Sequence, residues 1–523
     1  MRQFILIRCL VLWLAFGAQA SMAGAIFPQN TDPEKILDID SVFLQKQGNK
    51  VLAAFYKQHN NKTVWLNKAQ SRKILLSTLN QSAAEGLDPA AFALDSLNRF
   101  EASMAALSDA QSIDYDVLLT RKLQRYVWQL SVGVHNPKWL YRDWDLTPKA
   151  VDVNKILDGL EKPDAIASQL EKLQPNHAVY QSLKKALQLL NNFPEDTIDC
   201  ITIPRILYPT DTDSSLIRIK RKLMYWKDLA PSDSIDVTFD HSTFLAVKKF
   251  QARHGIRVDG AIGKATVDAL NFTRNRRREQ IIVNLERWRW FPRDFGPHYV
   301  LVNIPDYTLN VIKNTDTVQT RRVVVGVIAR KTAVLSSTFN NIILNPTWTV
   351  PPTILEEDLL PAAKKKKSYF ASKKITIYNS KGGVVSPANW NPDKYKNYRY
   401  VQAPGDDNSL GNVKFNFPNH YSVYLHDTNH RDYFNRTFRS LSSGCVRVEN
   451  PLPLAQYMLG EKKWPMEKIC DIIFSGKTTV LPLKEKINIH QLYWTAWMDA
   501  SGVLQFRQDI YNLDDELYEK LRQ

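Results

Sequence analysis

The chain has 523 residues, which is too long for one hydrophobic core, so domain sizes in general predict about three or four domains. Its apolar content of 44% is that of a folded protein and excludes long disorder. The formal net charge of +16 indicates a polyanionic partner, usually nucleic acid, unless the protein is exported.

Residues 1–20 have the pattern of a secretory signal peptide. Arginines come first, an apolar run extends from Cys9 to Phe16, and small residues follow at Ala18 and Ala20. The run is short for a membrane span, and an uncleaved N-terminal anchor is the alternative. We therefore expect an exported protein that meets no nucleic acid. Its positive charge would face an anionic cell-wall polymer or a membrane surface.

Residues 25–207 are predicted to form a helical scaffold domain. The segment "VLLTRKLQRYVWQLSVG" carries apolar residues at the three-and-four spacing of an amphipathic helix. A polar linker, "YPTDTDSS", ends the region. The next part, residues 214–273, is predicted to be a small module of three helices. Phe244, Val247 and Phe250 share one helix face, Gly255 caps that helix, and "DG" makes a turn.

From residue 297 the pattern becomes that of strands, and residues 297–475 are predicted to form a mainly-β domain. Residues 355–410 are expected to be an insertion of helix and loop that covers something. Residues 476–523 are expected to be a C-terminal extension that packs on this domain and holds further strands. The fold class predicted for the whole chain is multidomain α+β.

Three cysteines remain once the signal is removed, and this odd number leaves at least one thiol free or paired between chains. Cys200 and Cys470 lie in runs that look like strands, and a disulfide between them stays open. No cysteine or histidine cluster has zinc spacing, so we expect neither metal nor cofactor. Cys445 differs because it follows a glycine at a turn.

The segment "SSGCVRV" carries what a cysteine nucleophile needs. His426 ends the strand "YSVYLH" 19 residues before Cys445 and could take the thiol proton. Gly444 permits a tight turn whose backbone N–H groups could hold an oxyanion. Arg447 can lie on the same side of a strand as Cys445 and favour the thiolate. These residues alone leave an inert core thiol as the alternative.

Two segments resemble known families. Residues 214–273 resemble the small peptidoglycan-binding domain, on the pattern Phe250, Gln251, His254, Gly255, Asp259, Gly260, Ile262, Gly263, Thr266, Leu270 and Asn271. "HDT…SSGCVRV" resembles the signature of the L,D-transpeptidases with a YkuD-type catalytic domain, on His426, Thr428, Ser442, Gly444, Cys445, Val446 and Arg447. The blocks around it are similar to the large YcbB-like branch. Two positions depart from the family pattern: Ser443 replaces the usual histidine, and Asp427 replaces the usual glycine.

The resemblance implies acyl transfer at the cell wall. Cys445 would be the nucleophile, His426 the general base and acid, and Gly444 an oxyanion donor. For the remaining residues the resemblance implies a further oxyanion donor at Tyr424 and site orientation by Arg447. It implies substrate binding by Ser443, which would also shape the site, by Thr428 and by Trp348. Trp348, Asn345 and the loop 405–411 would form walls of the cleft.

The implied reaction cleaves the diaminopimelate–D-alanine bond of a tetrapeptide stem and joins two diaminopimelate residues. Transfer of the acyl group from the same thioester to water would make the protein a carboxypeptidase. Transfer of that group to a lipoprotein would make it an anchoring enzyme. A non-catalytic wall-binding protein is the alternative of another class. The expected partners are peptidoglycan stem peptides and glycan, envelope synthesis machinery and carbapenem inhibitors. The implied state is a monomer in the periplasm of a Gram-negative-type bacterium.

Overall fold

The computed structural model describes residues 35–523, so the predicted signal peptide lies outside the described part. Residues 35–191 are almost entirely helical. The helices are α1 (Ser41–Lys46), α2 (Lys50–Gln58), α3 (Ala69–Asn80), α4 (Leu94–Ala102), α5 (Asp109–Val132), α6 (Pro137–Leu140), α7 (Val153–Gly159), α8 (Pro163–Leu173) and α9 (Ala178–Asn191). The long helix α5 is tied to the segment between α2 and α3. Its buried Asp116 carboxylate accepts hydrogen bonds from the N–H groups of Val64 and Trp65 in that segment. No described helix has both the length and the apolar character that a bilayer span requires.

The three predicted helices of the small module are α10 (Ser215–Tyr225), α11 (His241–Arg253) and α12 (Lys264–Leu270). The next helix, α13 (Arg274–Trp290), has twelve buried side chains and runs through the middle of the protein. Two of its buried arginines are paired with carboxylates. Arg289 pairs with Glu286 at 3.1 Å, and Arg287 pairs with Asp514 of the tail at 2.5 Å. The helix therefore joins the module, the sheet and the tail.

The strands form one large sheet, a separate four-stranded sheet and a two-stranded hairpin. The strands are β1 (Trp144–Asp145), β2 (His298–Asn303), β3 (Thr308–Lys313), β4 (Asp316–Gly326), β5 (Val334–Thr338), β6 (Asn341–Leu344), β7 (Trp348–Thr349), β8 (Ile375–Tyr378), β9 (Val384–Val385), β10 (Arg399–Gln402), β11 (Val413–Asn416), β12 (Leu425–His426), β13 (Ser440–Ser442), β14 (Val446–Val448), β15 (Thr479–Pro482), β16 (Asn488–Leu492), β17 (Ala496–Met498) and β18 (Leu504–Phe506). The order in the sheet is β1-β5-β16-β2-β3-β4-β14-β12-β11-β6-β15, and β13 also pairs with β4. One strand was predicted over "HYSVYLHDT", but in the structure only the two residues of β12 are in a strand there.

The expected insertion is a subdomain with its own sheet rather than helix and loop alone. Its strands pair in the order β7-β10-β8-β9, and Trp390 and Tyr400 are buried in a separate core. The prediction missed the sheet because its strands have only two to four residues each. The helices here are α14 (Pro352–Ile354), α15 (Leu360–Lys365) and α16 (Tyr369–Ser372), and a π-helical turn spans Leu355–Leu359.

The tail takes part in the main sheet. β16 lies between β5 and β2, and β17 and β18 form a hairpin, so both strand regions predicted in the tail are present. The remaining helices are α17 (Leu452–Leu459), α18 (Met466–Phe474) and α19 (Asp514–Leu521).

The two structural cysteines are not in strands as predicted. Cys470 lies in α18, an amphipathic helix whose buried side chain is Ile469, and Cys200 is exposed outside any strand. The apolar run around Cys470 was read as a strand, although only one face of it is buried. Cys200, Cys445 and Cys470 are all free thiols, so the structure has no disulfide between Cys200 and Cys470.

Candidate active site

Four of the predicted site residues, Tyr424, His426, Cys445 and Arg447, lie on one face at the neighbouring strands β12 and β14. Strand β12 runs parallel to β14 with His426 opposite Arg447, and antiparallel to β11 with His426 opposite Lys414. Side chains alternate along a strand, so Tyr424 shares the face of His426, and Cys445 shares the face of Arg447. The opposite face is the buried core, to which Phe415, Leu425 and Val446 belong.

Cys445 is half-buried and lies next to Tyr424. The backbone N–H and the hydroxyl of Tyr424 both act to lower the pKa of the Cys445 thiol. Burial raises the pKa of this thiol, while these two groups and the charges of Lys414 and Arg447 oppose the rise. The pKa is raised overall, so the resting group is a neutral thiol that needs a base before it can attack.

His426 is buried and lies opposite Arg447, on the strand next to the one that follows Cys445. Its Nδ1 is hydrogen-bonded to the carbonyl oxygen of Asp427, which fixes the proton on Nδ1 and leaves Nε2 as an acceptor. The pKa of His426 is lowered to about 3, mainly by burial and further by the charges of Arg447 and Lys414. The imidazole is therefore neutral at physiological pH and able to accept a proton.

Asp427 stands where the family pattern has glycine, and it holds the end of β12. Its carboxylate accepts from the N–H of Asn412 at 3.0 Å and from Arg431 at 3.0 Å. The side chain is 2% exposed. The carboxylate of Asp427 ties the loop before β11 to the segment after β12. This contact also holds in place the Asp427 carbonyl that orients His426.

The turn before Cys445 is stabilised by a serine and a threonine. The hydroxyl of Ser442 donates to the carbonyl of Cys445 at 2.6 Å and accepts from the N–H of Gly444 at 3.3 Å. Thr332 donates to the carbonyl of Gly444 at 2.9 Å. Gly444 has φ +106°, a conformation that favours glycine. The N–H of Gly444, which was predicted to be an oxyanion donor, therefore already donates to Ser442. The N–H of Cys445 donates to no group among residues 35–523.

Two cations at the site lack a carboxylate partner. Two guanidinium nitrogens of Arg447, Nε and Nη1, are buried without an acceptor within the described part of the chain. Its guanidinium lies 5.6 Å from the ring centre of Tyr433. The ammonium of Lys414 lies 3.9 Å over the ring of Tyr424. A buried cation without a partner is costly, so the pair is suited to an incoming carboxylate.

The predicted cleft walls are mostly structural. Thr428 is fully buried, and its hydroxyl accepts from the N–H of His430. That Thr428 binds substrate stays a prediction. Asn345 is buried and donates to the carbonyls of Ile472 and Ile473, so it is not a wall of the cleft.

Three further predicted positions lie at or beside the site. Trp348 packs in the core of the insertion, and Tyr424 packs against the same core, so Trp348 supports the site. Ser443 is half-buried, and its hydroxyl makes no hydrogen bond to the described residues. The loop 405–411 is held by Asn408, which donates to the carbonyls of Pro346 and Ala403.

Lys414 is the residue that the sequence analysis missed. It lies between the apolar residues Val413 and Phe415, which face the core. Because side chains alternate along a strand, this pattern places Lys414 on the face opposite to Val413 and Phe415. Its position across from His426 depends on strand register and could not be predicted from local sequence.

One cluster outside the site has the side chains of a metal centre. Ligand atoms of His59, Asp158 and Glu161 lie within 4.8 Å of one another. Lys68 pairs with Glu161 at 2.5 Å, so a lysine cation already occupies one side of the cluster. It is an ion-pair network on the helical region.

Three segments match family models. Residues 50–187 match a scaffold domain, residues 212–270 a putative peptidoglycan binding domain, and residues 297–479 an L,D-transpeptidase catalytic domain. A putative L,D-transpeptidase of Haemophilus influenzae is 37% identical over 242 residues, which is 46% of this chain and 49% of that protein. The matched part thus spans about half the length of this curated relative.

Solved L,D-transpeptidases are also similar. The structure from Stackebrandtia nassauensis has 16% identity and a TM-score of 0.21, with 54% of this chain and 96% of that chain covered. The structure from Xylanimonas cellulosilytica has 13% identity and a TM-score of 0.18, with 55% and 99% covered. Scores this low carry no argument about the fold.

Proposed function

This chain carries an L,D-transpeptidase catalytic domain and a peptidoglycan-binding domain, and on that premise we propose that it cross-links peptidoglycan. The reaction would join two diaminopimelate residues after removing a D-alanine from a tetrapeptide stem. The observation that carries the proposal is the strand register, by which Tyr424, His426, Cys445 and Arg447 share one face. We also propose export to the cell envelope, the monomeric state and the domain boundaries given above.

The first half of the reaction forms a thioester. Nε2 of His426 takes the proton of the Cys445 thiol, and the thiolate attacks the carbonyl carbon of diaminopimelate. The N–H of Cys445, with the Tyr424 hydroxyl, holds the negative oxygen of the tetrahedral intermediate. When the intermediate collapses, the C–N bond breaks, and His426 returns the proton to the leaving amine of D-alanine.

The second half transfers the acyl group. The side-chain amine of another stem attacks the thioester carbonyl, and His426 takes a proton from this amine. The C–S bond then breaks and releases the thiolate of Cys445, which recovers the proton from His426. The new amide is the cross-link, and water or a lipoprotein amine in the same position would give the two alternative products.

The unpaired cations would recognise the stem. The guanidinium of Arg447 can bind a carboxylate through two parallel hydrogen bonds, and Lys414 adds a second positive charge nearby. Stem peptides end in carboxylates and also carry them on side chains. The positions of these two cations favour an anionic peptide as the acyl donor.

Mass spectrometry of the intact protein tests the acylation. Incubation with disaccharide tetrapeptide should add the stem less D-alanine to Cys445, and a carbapenem should add its own mass there. Cys445→Ala should show neither adduct. Cys200→Ala and Cys470→Ala are matched controls, because both remove a free thiol elsewhere. An adduct that persists in Cys445→Ala would overturn the proposal.

Product analysis separates the three acceptors. Cross-linked dimers indicate transpeptidation, tripeptides indicate a carboxypeptidase, and a stem linked to a lipoprotein lysine indicates anchoring. Binding of sacculi without any adduct would favour the non-catalytic alternative.

A further inference from the structure

Four consecutive lysines, residues 364–367, form an exposed basic turn in the insertion. They connect α15 to α16, and all four side chains are exposed. Four residues span at most about 11 Å of chain, so their charges lie within roughly one Debye length and act together. The basic turn is therefore a compact positive surface.

The carboxylates that precede the basic turn in the chain are already paired with other groups. Asp358 and Glu357 face Arg330, at 2.8 and 3.8 Å. Glu356 accepts a hydrogen bond from the hydroxyl of Tyr395 at 2.9 Å. Within the described part of the chain, no lysine of the basic turn belongs to an ion pair, since the ion pairs of the insertion use other cations. The turn therefore keeps its full charge.

Helix geometry accounts for only two of the four lysines. Lys364 and Lys365 lie in the last turn of α15, where the partial negative charge of a helix end favours cations. Lys366 has left the helix, with φ −139° and ψ 99°, and Lys367 follows it. The inner side of α15 is held by the buried Ala363. The fold thus gives no structural reason for charges at 366 and 367.

An aromatic ring adjoins the basic turn. The N–H of Tyr369 donates to the carbonyl of Lys366 at 2.8 Å, and its side chain is half-buried against the core of the insertion. The next residue, Phe370, is buried in that core, so the turn is fixed to a packed unit. Tyrosine rings favour the boundary between water and lipid. Charges crowded on one turn match the dense phosphates of a lipid surface, whereas a long polyanion needs charges spread along its length.

We propose that the basic turn docks this protein on an anionic phospholipid surface. The four ammonium groups would lie among the lipid phosphates, with Tyr369 at the level of the headgroups. Tyr424 of the active site packs against the core of the insertion, so docking would hold the site close to the membrane. The inference goes beyond the proposed reaction and rests only on the proposed export, by which the chain would meet such a surface.

Co-sedimentation with lipid vesicles tests the proposal. The exported form of the chain, without the predicted signal peptide, is mixed with phosphatidylcholine vesicles that contain or lack phosphatidylglycerol. We expect the wild type to bind only the anionic vesicles, and to bind less as sodium chloride is added. Lys364→Gln/Lys365→Gln/Lys366→Gln/Lys367→Gln should bind them at least about twentyfold more weakly. Each lysine near an anionic surface contributes about fivefold to the partition coefficient.

Two further variants are the controls. Lys462→Gln/Lys463→Gln/Lys484→Gln/Lys486→Gln removes the same charge from exposed lysines outside the insertion, and should bind within about threefold of the wild type. Replacement of all four lysines of the basic turn by arginine keeps the charge and should leave binding unchanged. Equal binding by the glutamine variant of the basic turn and the wild type would overturn the proposal. An equal loss in the control outside the insertion would also overturn it, because net charge alone would then explain the binding.

Two other measurements separate this proposal from its neighbours. Binding to soluble polyglutamate that depends on residues 364–367, without binding to anionic vesicles, would overturn the lipid in favour of an acidic polymer. Thioester formation with a soluble tetrapeptide should proceed at the wild-type rate in the glutamine variant of the basic turn, which also shows that this variant is folded. Failure of the wild type to form any thioester would overturn the proposed function and leave the vesicle result standing.

Discussion

Tyr424 affects the thiol of Cys445 in two ways, because its backbone N–H and its hydroxyl each lower the pKa of that thiol. The first effect is fixed by the pairing of β12 with β14, since the N–H of Val446 donates back to the carbonyl of Tyr424 at 3.2 Å. The second effect depends on the ring, which the Lys414 ammonium holds from one side. The two effects can therefore be separated by mutation.

Tyr424→Phe removes the hydroxyl and leaves the backbone N–H. If the hydroxyl stabilises the oxyanion, thioester formation should slow by roughly a hundredfold, the usual loss for one such donor. Binding of the donor stem should change little, because the group acts mainly in the transition state. Pre-steady-state acylation kinetics measure both quantities. A rate within a factor of about two of the wild type would contradict the role of the hydroxyl.

Lys414→Met should move the pH dependence of the site. The charge of Lys414 lowers the pKa of both His426 and Cys445, so its removal raises both pKa values. His426 then loses its proton at higher pH, and the acidic limb of the rate profile moves upward. Alkylation of the Cys445 thiol by iodoacetamide also shifts to higher pH.

Lys414→Arg keeps the charge and is the control for this shift. Its profiles should overlay those of the wild type. The alkylation of Cys200 and Cys470 provides an internal reference in every variant, because neither thiol belongs to the site. If Lys414→Met and the wild type have the same profile, Lys414 exerts no electrostatic effect on the pair.

Much of the fold could be predicted from periodicity. The helical region, the three-helix module and the mainly-β domain are confirmed, because long amphipathic helices and β-branched runs are strong local signals. The run around Cys470 was misassigned because its apolar residues suit either element. In the fold it is a helix with Ile469 buried and Phe474 at the surface. Tertiary packing decided between the two.

The site was less accessible to sequence reasoning. Cys445 and His426 could be proposed from a motif, because a cysteine and a histidine in that pattern have few explanations other than a catalytic pair. Lys414 could not be proposed, because it meets His426 through pairing between β11 and β12. The motif also gives no information about which side chains the loop buries, and the burial of Thr428 could not be predicted from it.

Arg447→Gln should weaken donor binding without destabilising the fold. The guanidinium makes no hydrogen bond to the described residues, so its removal leaves no protein acceptor unpaired. We expect a higher KM for tetrapeptide donors and an unchanged melting temperature. A donor with amidated carboxylates should bind the wild type and Arg447→Gln equally well. If the variant loses affinity for the amidated donor too, Arg447 does not bind a carboxylate.

Asp427→Gly restores the family residue and should destabilise this protein. The N–H of Asn412 and the guanidinium of Arg431 would lose their acceptor, at a cost of about 1–3 kcal/mol. Asp427→Asn keeps one acceptor oxygen and should lose less. Urea unfolding at neutral pH measures both variants. Wild-type stability in Asp427→Gly would show that the carboxylate does not hold the loop.

Ser443→Ala should leave catalysis nearly unchanged, although relatives carry histidine at this position. The Ser443 hydroxyl makes no hydrogen bond within residues 35–523, and in the proposed mechanism the base is His426. Ser442→Ala is the matched comparison, because the Ser442 hydroxyl joins the N–H of Gly444 to the carbonyl of Cys445. Its loss should release the turn, cost about 1–3 kcal/mol of stability and slow thioester formation. If Ser443→Ala slows the reaction as much as Ser442→Ala, a serine at 443 contributes to the chemistry. In that case His426 would not be the sole proton acceptor.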